Sequence, residues 1–258
     1  MPLDIDLLGW ILLLLAGLTA GWVDAVVGGG GLIQLPALLL VPGIAPVQAL
    51  ATNKVGSIMG TSTSSITYAR RVGPDLTTAG PMALAALAGA VGGAALAALI
   101  PAAAFRPIIL VVLIGVAAYT LLRPRLGEQT ALRWEGNRHR GTAAATGLVI
   151  GVYDGVLGPG TGAFLVISLV SVLGYAFLPA SALAKIVNFA TNLGALVFFV
   201  PAGHVIWQLG LAVGAANLVG GYVGARMAVA KGSRFVRVVF VVVVSALIVR
   251  LGYDVVTG

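Results

Sequence analysis

Ten apolar runs, bounded by proline, glycine or charged residues, make up most of this chain and suit it to lipid rather than water. They fall at about 7–27, 32–41, 46–69, 79–100, 107–122, 142–157, 162–178, 181–200, 206–230 and 236–253. About 20 apolar residues cross a bilayer core as a helix, and most of the runs approach that length. Only 9% of the residues are charged, against about 25% in an ordinary globular chain, so a soluble surface of this size could not be solvated. Run 32–41 is too short to cross alone; it is either extended by its flanks or half of a re-entrant hairpin. Asp4 and Asp6 stand where a signal peptide carries basic residues, so none is expected. Without cysteine, disulfides and thiol chemistry are excluded.

The runs form two sets of five around a polar stretch, Arg123 to Arg140, that holds seven charged residues and His139. This divides the chain into a first transmembrane repeat at 1–122, a basic cytoplasmic linker at 123–140 and a second repeat at 141–258. Gly21 to Gly30 and Gly151 to Gly160 both read Gly-x-x-Asp-x-Val-x-Gly-x-Gly, at an offset of 130. Lys54 matches Lys185, Gly89 matches Gly220 and Gly93 matches Gly224 at 131, and Phe105 matches Phe235 at 130. A nearly constant offset along the whole chain points to internal duplication.

Basic residues orient the halves. Arg70 and Arg71 occupy the loop after the third run; the matching loop of the second half holds only His204, and Lys231, Arg234 and Arg237 come one loop later. Positive loops stay inside, so equivalent loops face opposite sides and the repeat is inverted. Both termini then lie outside, and ten of the fifteen basic residues fall in inner loops. The basicity is thus a topology signal, and no nucleic-acid partner is expected. The fold expected is an all-α, polytopic transmembrane helical bundle of 8–10 spans, with helices broken at glycine.

Few ionisable groups lie within the runs: Asp24, Lys54, Asp154, Lys185 and, near an end where it can snorkel, Arg226. Charges at such depth face a cavity or one another. The first four form two Asp–Lys sets, one per half. They serve as structural ion pairs, as carriers of a coupling proton, or as partners that keep the lysines charged while a site is empty. Lys54, Ser57, Thr61, Ser65 and Tyr68 share one helical face, and Lys185, Asn188 and Asn192 repeat its first steps, with Asn53 beside Lys54. Such stripes either bond across helices or line a polar path. Ammonium, amide and hydroxyl donors together replace the hydration shell of a small oxyanion.

The segments Gly28 to Gly31 and Gly158 to Gly162 each begin four residues after a membrane aspartate. A helix broken there presents backbone N–H groups and a positive helix end, as broken-helix transporters do for anions. The candidate substrate-binding backbone positions are therefore Gly28, Gly30, Gly158 and Gly160. Gly89, Gly93, Gly147, Gly151, Gly155, Gly220 and Gly224 read instead as close helix packing. Nothing matches a P-loop, a dinucleotide fingerprint or metal-ligand spacing, and both histidines are placed in loops. No cofactor, metal or enzymatic activity is expected.

The motifs Gly-Trp-Val-Asp-Ala-Val-Val-Gly-Gly-Gly-Gly at 21–31, Ala-Thr-Asn-Lys at 51–54 and Ala-Lys-Ile-Val-Asn-Phe-Ala-Thr-Asn at 184–192 resemble signatures of the sulfite exporter TauE/SafE family, the toluenesulfonate uptake permeases. The resemblance implies a secondary transporter in a bacterial inner membrane for sulfite, sulfoacetate or other organosulfonates, with export the commoner assignment. It carries over to Asp24, Gly28, Gly30, Asn53, Lys54, Asp154, Gly158, Gly160, Lys185, Asn188 and Asn192, while Pro159 departs from pure glycine. Ser57 and Thr61 join as oxygen-orienting donors. A coupling ion is expected, either a proton through the aspartates or sodium at backbone carbonyls, and a homo-oligomer is compatible with the sequence. The alternatives are an anion pore, a membrane protein that transports nothing, and an intramembrane aspartyl enzyme, for which the Gly-x-Gly-Asp motif is missing.

Overall fold

The computed structural model describes residues 5–97 and 129–257, and every regular element in them is helical. Run 107–122, Phe105 and the linker up to residue 128 lie outside the described residues. The first half contains α1 (Leu7–Val27), α2 (Gly31–Leu39), α3 (Pro46–Arg71) and α4 (Leu76–Ala97). The second half contains α5 (Gly136–Val156), α6 (Thr161–Ser168, continued by a π-helical turn at Leu169–Leu173), α7 (Phe177–Phe199) and α8 (Trp207–Thr257), which is interrupted at Gly232. Among the described residues, α1, α4 and α7 are long and apolar enough to cross a membrane. With its exposed leucines, the chain is built as an integral membrane protein.

α2 has nine residues. At 1.5 Å per residue it rises about 13 Å, less than half of a ~30 Å bilayer core. α6 is shorter still before its π turn. Each therefore follows a long helix as a half-length piece. α1 stops because Gly28 takes φ 85°, a left-handed value that only glycine adopts freely, and its N–H donates back to the carbonyls of Asp24 and Val23. After α5, Gly158 (φ 82°) and Gly160 (φ 83°) turn the chain into α6.

The corresponding helices of the two halves pack equivalently. α1 lies along α8, and α5 lies along α4. Small residues let these backbones touch: a Cβ at Gly21 would collide with the Asn217 carbonyl, and one at Gly220 with the Leu18 carbonyl. At the matching interface, a Cβ at Gly151 would strike the Ala86 carbonyl and one at Gly93 the Val152 carbonyl. Dispersion between close backbones binds helices in lipid, where apolar burial offers little.

The helix α5 begins at Gly136, inside the stretch read as linker, so His139 sits in its first turn rather than in a loop. At its start Glu135 is extended and Gly136 takes φ 54°, a left-handed value that turns the chain into the helix. Just upstream, Ala131 N–H donates to the Gly174 carbonyl (2.8 Å), tying the linker's end to the end of the α6 segment.

Candidate functional site

The two glycine breaks meet at the middle of the molecule. Ala163 N–H, at the start of α6, donates to the Gly28 carbonyl at 3.0 Å. A Cβ on Gly28 would collide with the backbone of Gly162 and Ala163, and one on Gly162 with Gly28. Among the described residues, the N–H groups of Gly29, Gly30 and Gly160 donate to no acceptor. They remain free for a ligand.

The lysines cross between the halves. Lys54 on α3 binds the Asp154 carboxylate at the end of α5 (Nζ to Oδ2 2.7 Å), and Lys185 on α7 binds Asp24 at the end of α1 (2.8 Å). The sequence repeat places one Asp–Lys set in each half; the fold pairs each lysine with the aspartate of the other. Each ammonium also donates to the backbone carbonyl of that aspartate, Lys54 to Asp154 O at 2.8 Å and Lys185 to Asp24 O. Those carbonyls belong to the last turns of α1 and α5. Each cation thus neutralises a carboxylate and sits at the negative end of a helix.

Around these pairs lies a small polar cavity lined by Asp24, Asn53, Lys54, Ser57, Asp154, Asn188 and Asn192, with Gly28, Gly31, Gly158, Gly160, Gly162 and Thr161 supplying its backbone side. It has space for little more than about one water molecule. Its wall carries two carboxylates and one ammonium, and each carboxylate is paired with a lysine, so bringing in an anion requires at least one pair to open. Asn53 Oδ1 is buried without a hydrogen-bond partner. Rotating that amide would present its nitrogen instead. Asn192 is partly spent: its Nδ2 donates to the Asn188 carbonyl at 2.8 Å.

Other residues singled out in the sequence lie outside the cavity wall. Thr61 Oγ1 donates back to the Ser57 carbonyl of its own helix at 2.8 Å. Tyr68, the last residue of the α3 stripe, donates to Ala25 O at 2.9 Å and fastens α3 to the end of α1. Lys185 is fully buried behind Asp24, and Gly30 packs against Ala20 and Asp24 off the cavity wall. Arg226 donates to the Tyr222 hydroxyl one turn away (2.9 Å), near the helix end.

Three residues that the stripes did not flag support the site. Thr161 Oγ1 donates to Asp154 Oδ1 at 2.6 Å. Gln34, buried on α2, donates to the Asn53 carbonyl (3.1 Å) and accepts from Asn217 on α8 (2.6 Å). The signal for Gln34 was present: it is the only polar residue in the apolar run 32–41.

A helical membrane protein whose two broken helices meet at a charge-paired polar cavity has the build of a membrane transporter. The chain belongs to the sulfite exporter TauE/SafE family, whose sequence model matches residues 13–251. It is 39% identical over 244 residues to a probable membrane transporter protein, ORF9, of a Sinorhizobium species, covering 94% of this chain and 92% of that protein. It is 33% identical over 244 residues to the probable membrane transporter protein YfcA of Escherichia coli K12, with 94% and 89% covered. A probable membrane transporter protein of Haemophilus influenzae is 31% identical over 258 residues, with 98% of both chains covered. No solved structure matches the chain.

Proposed function

We propose that this chain is a secondary transporter that exports small sulfur-containing anions, such as sulfite, sulfoacetate or other organosulfonates, across a bacterial inner membrane. The observation that carries the reading is the convergence of Lys54, Asn53, Asn188, Ser57 and the Gly160 break on one buried cavity, with Lys185 paired to Asp24 just behind its wall. Lys54 and Lys185 supply charge to the anion. The amides and Ser57 orient its oxygens, and the N–H group of Gly160 completes its shell. While the site is empty, Asp24 and Asp154 keep both ammonium groups compensated within the bilayer. Because each aspartate faces a lysine, a proton shared between two acids, as an intramembrane aspartyl enzyme requires, finds no support here.

Alternating access follows from the same arrangement. The halves form an inverted repeat with both termini outside, and the breaks touch at its axis, so rocking one half against the other exposes the cavity to each side in turn. Either a proton carried by an aspartate or a sodium ion drives the cycle.

Reconstituted vesicles test this. Wild-type protein is expected to show sulfite or sulfoacetate counterflow, which a pore does not support. Lys54→Gln and Lys185→Gln proteins that remain monodisperse should fall to the protein-free rate. Full transport by either variant would remove that lysine from the mechanism.

A further inference from the structure

The two crossed ion pairs share a plan but differ in what else holds them. Asp154 is held at both oxygens: Oδ2 faces the Lys54 ammonium as an ion pair at 2.7 Å, without an aligned hydrogen bond, and Oδ1 accepts from the Thr161 hydroxyl. The Thr161 proton has the Gly158 carbonyl as its other acceptor at 2.8 Å, but the carboxylate at 2.6 Å is closer and charged. The Asp154 side chain is 2% exposed. Asp24 accepts, among the described residues, from Lys185 alone, and its side chain is 13% exposed on the cavity. The position matching Thr161 in the first half is Gly31, which carries no hydroxyl.

Releasing a lysine from these two acids therefore has different consequences. Parting Asp154 from Lys54 leaves a carboxylate that is 2% exposed and still tethered by Thr161, where losing the partner of a buried charge is strongly unfavourable. Parting Asp24 from Lys185 breaks one side-chain contact, and the freed carboxylate, 13% exposed, is the more readily hydrated of the two.

We infer that the pairs divide the work: the Lys185–Asp24 pair opens and passes its ammonium to the anion, while Lys54–Asp154, locked by Thr161, stays closed as the fixed wall of the site. This rests on the anion reading above and adds Thr161 as a positioning residue that decides which pair opens. The anion competes with Asp24 for Lys185, so the carboxylate acts as a built-in competitor of substrate.

Equilibrium binding of sulfite and sulfoacetate to purified full-length protein tests the division. Asp24→Asn removes the competitor and should tighten binding by about tenfold; Asp154→Asn should give no gain. Thr161→Ala should make Asp154 a second competitor, so that Asp154→Asn in that background now tightens binding, and Thr161→Ser should restore the wild-type pattern. Equal gains from the two asparagine variants, or a gain from Asp154→Asn alone, would overturn the inference. Should either variant misfold, labelling of the ligand-free wild type with a water-soluble carbodiimide, mapped by mass spectrometry, decides instead. Asp24 should be modified about tenfold faster than Asp154, and equal rates refute the division. If no variant and no wild-type protein binds either anion, the functional reading itself fails, which is a different result from binding with two equivalent acids.

Discussion

At the first break the chain turns through Gly28 and is braced by another backbone, that of Gly162 and Ala163. At the second break it turns through Gly158 and Gly160 and is braced by its own side chains: Tyr153 donates to the Pro159 carbonyl at 2.7 Å, and Thr161 reaches back to Asp154. Pro159 further restricts the second loop. The same sequence motif has thus yielded a turn held by another backbone in one half and a turn held by its own side chains in the other. The ion pair inferred to open lies beside the first, and the pair inferred to stay closed lies beside the second.

Charge removal should separate the halves most. Lys54→Ala strands the more deeply buried Asp154, left with Thr161 alone, and we expect a loss of about 3–5 kcal/mol of stability, the usual cost of breaking a buried pair. Lys185→Ala strands the partly exposed Asp24 and should cost visibly less. Thermal unfolding of the two variants in the same detergent measures the gap; a larger loss at Lys185 would reverse the assignment of closed and opening pairs.

Backbone substitutions come next. Gly28→Ala meets both a left-handed φ of 85° and a collision with the Gly162 backbone, which cannot rotate away. A loss of about 2–4 kcal/mol is expected from strain and overpacking together. Gly158→Ala has a similar φ of 82°, but its nearest neighbour is the Lys54 ammonium at 3.1 Å, the end of a flexible side chain. That variant should lose only about 1–2 kcal/mol, and transport should suffer through the displaced lysine. Equal destabilisation would mean that the contact between the breaks is less tight than the structure has it.

Much of this was legible in the sequence, and the parts that were not share a cause. The repeat, the paired aspartates and lysines, the broken helices and the glycines of the α1–α8 and α4–α5 seams follow from spacing and composition. Helical periodicity tells which residues share a face. It does not tell which helix that face meets, so the crossing of Lys54 to Asp154 and Lys185 to Asp24 stayed hidden. Thr61 illustrates the same limit: it has the right spacing, but its hydroxyl is consumed by its own helix. Thr161 lies seven residues after Asp154, on the far side of the break, where helical spacing no longer predicts a neighbour. His139 lies in a polar stretch that reads as a loop, yet Arg138 and Arg140 fall on the exposed face of the first turn of α5.

Side-chain bracing gives a smaller effect. Tyr153→Phe removes one hydrogen bond from the second break and leaves the first untouched. About 1 kcal/mol is expected, together with faster hydrogen exchange at Gly160 to Ala163 and none at Gly28 to Gly31. Exchange that quickens equally in both segments would show that the breaks yield as one unit.

The smallest effect concerns the helices α4 and α8, which correspond in the two halves but are anchored differently. Just before α8 the bond is from Ile206 N–H to Thr52 Oγ1 at 3.0 Å. At α4 the anchor is a polar cluster beside the Arg70–Arg71 loop. Burial pushes the Asp75 carboxyl up, but hydrogen bonds from Thr77, Thr78, Tyr175 and the Thr77 backbone outweigh it and hold the group at about 2. Tyr175 is pushed up to about 12, chiefly by burial, with the bond to Asp75 and its charge adding to this against the opposing Thr78 bond. Thr78 Oγ1 also lies 3.0 Å from His139 Nε2, which joins α5 to the cluster. The depressed carboxyl stabilises the fold above its unfolded value of 3.8, and that contribution is lost as pH falls through about 2. The raised phenol acts in the opposite sense: its contribution is complete below 10.0 and is lost as pH rises through about 12. Asp75→Asn should therefore flatten the acid limb of the stability profile between these carboxyl values. After solvent screening of this partly exposed group, the change at neutral pH should stay under about 1 kcal/mol. Thr52→Val, at the matching helix of the other half, removes no titrating group and should leave the acid limb as steep as in the wild type.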